Sequence, residues 1–163
     1  MSLDCLKEKI KQAERIAIMG IGSELRSDDA AGMRLINELN CLGLSNCDNV
    51  RLLYGSTAPE NFTGEIKAFS PDLLILVDAA SMGLQAGAIK IIESDEIMGV
   101  TFSTHMLPLP IVLNYLKQEA SFETVLIGIQ PKSTDFGIEI SEEVTNSVSE
   151  LAIFLYDSII ATR

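Results

Sequence analysis

The chain has 163 residues, of which 47% are hydrophobic and only 21% charged, with a mean hydropathy of +0.27. That is enough for one domain over residues 1–163 around one full core, and no segment has a disordered composition. Acids outnumber bases 23 to 12, for a net charge of −11, which argues against sequence-independent binding to nucleic acid because that needs basic patches.

In chain order, residues 3–14 carry Leu3, Leu6 and Ile10 at helical spacing and predict a short amphipathic helix. RIAIMGI (15–21) reads as a buried strand. Helix signals resume at Asp28 or Asp29 and run to about Leu42, with Met33, Leu35, Ile36 and Leu39 as the apolar stripe. NVRLLY (49–54) is a second strand. STAPEN predicts the next helix start, with Ser56 or Thr57 as N-cap, Pro59 in the first turn and Glu60 favouring the helix dipole.

DLLILVDAA (72–80) is a continuous apolar run of the kind found in a central parallel strand. AIKIIES (88–94) predicts a shorter strand lying antiparallel at an edge. Residues 106–119 read as a helix entered through Pro108 and Pro110, and ETVLIGIQ (123–130) as the last strand. From Ser141 to Thr162, Val144, Val148, Leu151, Leu155 and Ile159 mark a long amphipathic helix whose SEE start is a good cap. The fold class expected from this order is α/β: a three-layer α/β/α sandwich on a doubly wound, mostly parallel sheet of about five strands.

Cys5, Cys41 and Cys47 are an odd count without C-x-x-C spacing, so neither a disulfide framework nor a zinc ribbon is expected, and a reducing cytoplasm is the simplest setting. No apolar run reaches membrane-spanning length; LAIFLYDSII is short and interrupted by Asp157, so no membrane insertion and no signal peptide are expected.

In a parallel α/β sheet the loops after the strands line one edge, where ligands bind. Asp29 follows the first strand, Asp78 closes the central strand, and His105, the chain's one histidine, precedes a helix. Two carboxylates and an imidazole are a sound ligand set for a divalent transition metal, with positions left for water or a substrate group. Each residue alone has a plainer reading. Asp29 suits a helix N-terminus, Asp78 suits a loop-fixing carboxylate, and His105 suits a hydrogen-bonded loop histidine. It is their convergence on one edge that favours function.

Other chemistries fit less well. Gly20, Gly22 and Gly32 do not make G-x-G-x-x-G, because the third glycine comes ten residues after the second, and acids at the helix start repel a pyrophosphate. There is no G-x-S-x-G elbow and no H-E-x-x-H.

GIGSELRSDDAAG (20–32) resembles the G-x-G-N-x-L-x-x-D-D-G-x-G signature of the hydrogenase maturation endopeptidases, which process the large subunit of nickel–iron hydrogenases. GSTAPEN (55–61), LILVDAASMGLQAGAIKII (74–92), STHMLPLP (103–110) and LIGIQP (126–131) resemble further blocks of that family in the same order. GSTAPEN with GIQP is most similar to the branch serving formate-hydrogenlyase-type hydrogenases. Ser23 and Ala30 stand where the family has Asn and Gly.

The resemblance implies an endopeptidase that removes a C-terminal extension from the nickel-loaded precursor of a hydrogenase large subunit. It implies nickel ligation by Asp29, Asp78 and His105, with nickel supplied by the substrate rather than held as a permanent cofactor, and with Asp28 as a secondary catalytic candidate. The same residues also suit a non-catalytic, nickel-dependent maturation checkpoint, or a metal-assisted hydrolase of a small amide. Oligomeric state is left open. If neutral His105 ligates nickel, activity falls as pH drops through its titration near about 6.5, and a pH profile that stays flat well below that value counts against the ligand role.

Overall fold

The computed structural model describes residues 2–92, 122–137 and 139–162, together with the backbone of 101–102. The expected helix over 106–119 lies outside the described residues. Helix α1 spans Leu3–Gln12, α2 Ala31–Cys41, α3 Thr63–Phe69 and α4 Glu142–Ile160. The strands are β1 (Ile16–Ile21), β2 (Val50–Ser56), β3 (Leu73–Ser81), β4 (Ile89–Ile92), β5 (Thr101–Phe102) and β6 (Glu123–Ile129).

The sheet order is β2-β1-β3-β6-β4, with the two-residue β5 added against Ala80 and Ser81 at the end of β3. β1 runs parallel to β2 and β3, and β3 parallel to β6. β4 pairs antiparallel with β6 at the edge, as its short, turn-introduced sequence predicts. The central position of β3 explains its composition. All of β1 and all of β3 but its last residue are buried, because layers cover both faces, whereas the edge strand β2 is only partly covered, with Val50, Leu53 and Gly55 buried and Arg51, Tyr54 and Ser56 exposed.

Two cores flank the sheet. On one face Ile16, Ile18, Ile75 and Val77 pack against Leu6 and Ile10 of α1, Leu35 and Leu39 of α2, and Val148 and Leu155 of α4. On the other, Ala17, Met19, Leu74 and Leu76 pack with Ile66 and Phe69 of α3. This is the three-layer sandwich expected from the element order.

Two helix starts differ from expectation. The run after β1 begins as a 3-10 turn, Ser27–Ala30, and becomes α-helical only at Ala31. Neither Asp28 nor Asp29 caps α2, because both carboxylates bond elsewhere. After β2, Ser56 is not a cap: it remains in the strand, opposite Ile21, and its carbonyl accepts from Gly22 N. Pro59–Phe62 then forms a 3-10 turn before α3.

Candidate functional site

The site is built where β1 gives way to α2. At Gly22 the backbone adopts φ +131°, and a Cβ there would overlap the carbonyl oxygen of Asp29. A Cβ on Gly32 would overlap the carbonyls of Ile21 and Val77 in the same way. These glycines let the Asp29 turn and the start of α2 lie directly on the ends of β1 and β3. Their spacing therefore meets a packing requirement.

That packing buries Asp29, which is 1% exposed. Its Oδ2 accepts from Ser23 N at 2.8 Å. Its Oδ1 is buried and has no hydrogen-bond partner among the described residues. Because the Ser23 contact is through the backbone, the Ser-for-Asn departure leaves this bond in place; the Ser23 hydroxyl instead accepts from Leu25 N at 3.3 Å.

Asp78 is fully buried in β3, in register with Gly128 of β6 and on the same face as Leu74, Leu76 and Ala80. The Ser27–Ala30 turn packs against β3, and Gly32 meets the carbonyl of Val77, the residue before Asp78. Asp29 and Asp78 thus share one sheet edge. His105 lies outside the described residues. Among the described residues no group of three His, Cys, Asp or Glu side chains assembles that could hold a metal.

Asp28 is placed differently from Asp29. Its Oδ2 accepts from Lys132 N at 2.7 Å, Ser133 N at 3.2 Å and the Ser141 hydroxyl at 3.0 Å, and its Oδ1 from Ser141 N at 2.6 Å. Both oxygens are thus committed to the segment leading from β6 into α4, which points to a structural role. The same contacts explain why Ser141, although at the N-cap position, does not cap its own helix with its side chain. Lys132 is also held by Glu143, Nζ to Oε1 at 2.7 Å, which raises the lysine's pKa and lowers the glutamate's. Replacing the buried Asp28 by Ala removes the shared acceptor of the partly buried backbone N–H groups of Lys132, Ser133 and Ser141 and leaves a cavity in its place. It is expected to cost about 3–5 kcal/mol of stability, read as a fall in the urea midpoint at unchanged slope.

Two residues gain roles that pattern reading did not assign. Gln130 is 8% exposed; its Oε1 accepts from Met82 N at 2.7 Å and Leu84 N at 3.2 Å, and its Nε2 donates to Pro131 O at 3.1 Å. It therefore fixes the chain leaving β3, just beyond Asp78. Glu60, read as a helix-dipole acid, has a buried Oε2 without a hydrogen-bond partner among the described residues, in the turn after β2 on the same sheet edge. A polar residue after an apolar strand was the available signal for Gln130; nothing in the local pattern marks Glu60 as buried. Cys5 and Cys41 are exposed and Cys47 half-buried, all three as free thiols.

Known proteins resemble this chain in sequence and in fold. The family model described as hydrogenase maturation protease matches residues 33–157. The hydrogenase 3 maturation protease of Escherichia coli K12 is 31% identical over 132 residues, covering 80% of this chain and 82% of its own. A provisionally named hydrogenase maturation protease of Methanocaldococcus jannaschii is 39% identical over 161 residues, covering 96% and 95%. In three dimensions, the crystal structure of a NiFe hydrogenase maturation protease from Thermococcus kodakarensis superposes with a TM-score of 0.85 at 35% identity, over 96% of this chain and 99% of that one. Family model, end-to-end relatives and matching fold agree with one another, and the chain belongs to the hydrogenase maturation protease family.

Proposed function

We propose that this chain is an endopeptidase that cuts a C-terminal extension from the nickel-loaded precursor of a nickel–iron hydrogenase large subunit, and that it recognises the nickel through Asp29, Asp78 and His105. Membership of a protease family supports hydrolysis of a peptide bond. The observation that carries the nickel reading is Asp29 Oδ1, a buried carboxylate oxygen without a hydrogen-bond partner among the described residues. Burying such an atom is costly unless something arrives to bind it, and a divalent cation is a suitable occupant. The other oxygen is fixed by Ser23 N, so the carboxylate is already oriented before the substrate docks. Asp78 on the same edge supplies the second carboxylate.

In this reading nickel belongs to the substrate, and when present it supplies Lewis acidity at the bond to be cut. The chain's own residues hold the precursor there, and water is added across one peptide bond. Each precursor molecule is cut once, so a slow turnover suffices.

The test is intact mass spectrometry of candidate precursor large subunits, nickel-loaded and nickel-free, incubated with the protein and with Asp29→Asn. The expected result is one fixed C-terminal mass loss, seen only with nickel and only with the unaltered protein. Binding of the precursor without any mass loss would instead establish the checkpoint role.

A further inference from the structure

Two large apolar side chains stand out into solvent on the segments beside the site. Phe136 is 83% exposed and Leu25 is 64% exposed, the two most exposed large apolar side chains among the described residues. The Arg26 guanidinium lies over the Phe136 ring, 5.1 Å from its centroid. Exposed aromatic side chains commonly sit on loose loops, but this backbone is tied down. Arg26 bridges Gly137; Ser27 N donates to Gly137 O at 2.7 Å, and Gly137 N donates to Leu25 O at 3.0 Å. Asp28 N donates to Ser133 O at 3.2 Å, and the Asp28 carboxylate clamps the same loop from below.

We infer that Leu25, Arg26 and Phe136 form a rigid docking knob for the folded protein substrate, received by an apolar recess on the precursor. This rests on the endopeptidase reading above and adds to it how the substrate is held. Three arguments select that occupant. The first is continuity: Leu25 and Arg26 lie four and three residues before Asp29 on one segment, a reach of no more than about 15 Å. A folded protein whose bond sits at Asp29 is large enough to contact the knob as well, whereas a small amide is not. The second is chemistry, since aromatic and arginine side chains are the types enriched at protein interfaces and their hot spots. The third is rigidity, because a pre-ordered knob loses little conformational entropy on docking.

The experiment measures precursor affinity and the concentration dependence of cleavage for the unaltered protein, Phe136→Ala, the Leu25→Ala/Phe136→Ala pair and Ile153→Ala. Ile153 is an equally apolar, 55% exposed residue on α4 and serves as the control. Phe136→Ala is expected to raise Kd and KM about tenfold or more, and the pair further, with kcat at saturating precursor within about twofold and thermal stability unchanged. Ile153→Ala is expected to match the unaltered protein. Normal cleavage with unchanged KM in both knob variants overturns the knob and leaves the endopeptidase reading intact. Precursor binding that the knob variants weaken, without cleavage by any protein, keeps the knob and overturns the endopeptidase reading. Absence of both binding and cleavage in the unaltered protein overturns both.

Discussion

Asp29→Asn is expected to lower precursor cleavage by roughly a thousandfold while leaving the melting temperature equal to or above that of the unaltered protein. The two halves of this result have one cause. Asn at position 29 keeps an oxygen for Ser23 N, so the 2.8 Å bond that shapes the corner survives. What it removes is negative charge at Oδ1, an atom that is buried and makes no hydrogen bond among the described residues. A buried, unpartnered anionic oxygen is a liability to the fold of several kcal/mol in order of magnitude, more than an amide in the same place. Retaining the charge at that cost is what the proposed role of Asp29 predicts. Calorimetry beside the cleavage assay separates the alternatives. If the melting temperature falls by about 10 °C together with activity, Asp29 is a structural residue and the nickel reading loses its main support.

Gly22→Ala is expected to destabilise the protein by about 4 kcal/mol or more, and to lower the melting temperature by roughly 10–15 °C for a domain of this size. Two effects add. The backbone at φ +131° is in a region that side chains rarely enter, and the new Cβ would occupy the place of the Asp29 carbonyl oxygen. The opposing group is backbone rather than the end of a flexible side chain, so it cannot swing away. Relief requires moving the turn that carries Asp29, and activity is expected to fall with stability. Gly64 is the internal contrast. It lies in α3, and a Cβ added there would meet nothing within 4 Å, so Gly64→Ala is expected to be neutral or stabilising by up to about 1 kcal/mol. Equal effects at the two positions in urea unfolding would show that the close approach at Gly22 is not what constrains the corner.

The parts of this molecule that were legible in the sequence are those set by burial. LLILV in β3 and IAIM in β1 are apolar at every position because both faces of the sheet are covered, and the mixed apolar and polar residues of NVRLLY fit a partly covered strand at the edge of the sheet. The residues that defeated local reading are those whose partners are distant in sequence. Asp28 and Asp29 are adjacent acids ahead of a helix, and helix-terminus rules treat them alike. The structure separates them because one meets Lys132, Ser133 and Ser141 while the other meets Ser23. No window of sequence contains that distinction. Ser56 misled for the same reason: its fate is decided by Ile21 and Gly22 on the neighbouring strand. Phe136 is the reverse case, an apolar residue outside any periodic element, so nothing local suggested an exposed ring on a fixed backbone.

The clamp made by Asp28 also bears on the order in which the protein assembles. Its bonds to Lys132 and Ser141 span 104 and 113 residues of chain. Contacts of such separation can form only once the intervening chain is closed into a loop, at the cost of its closure entropy. The β1–α2 corner is encoded in the first fifth of the sequence, yet the Asp28 bonds that lock it need residues 132–141, between β6 and α4, in place. A chain that ends before residue 132 therefore has its glycines and both aspartates but lacks the Asp28 bonds that fix the corner, so in the proposed reading competence to engage a substrate is coupled to completion of the fold.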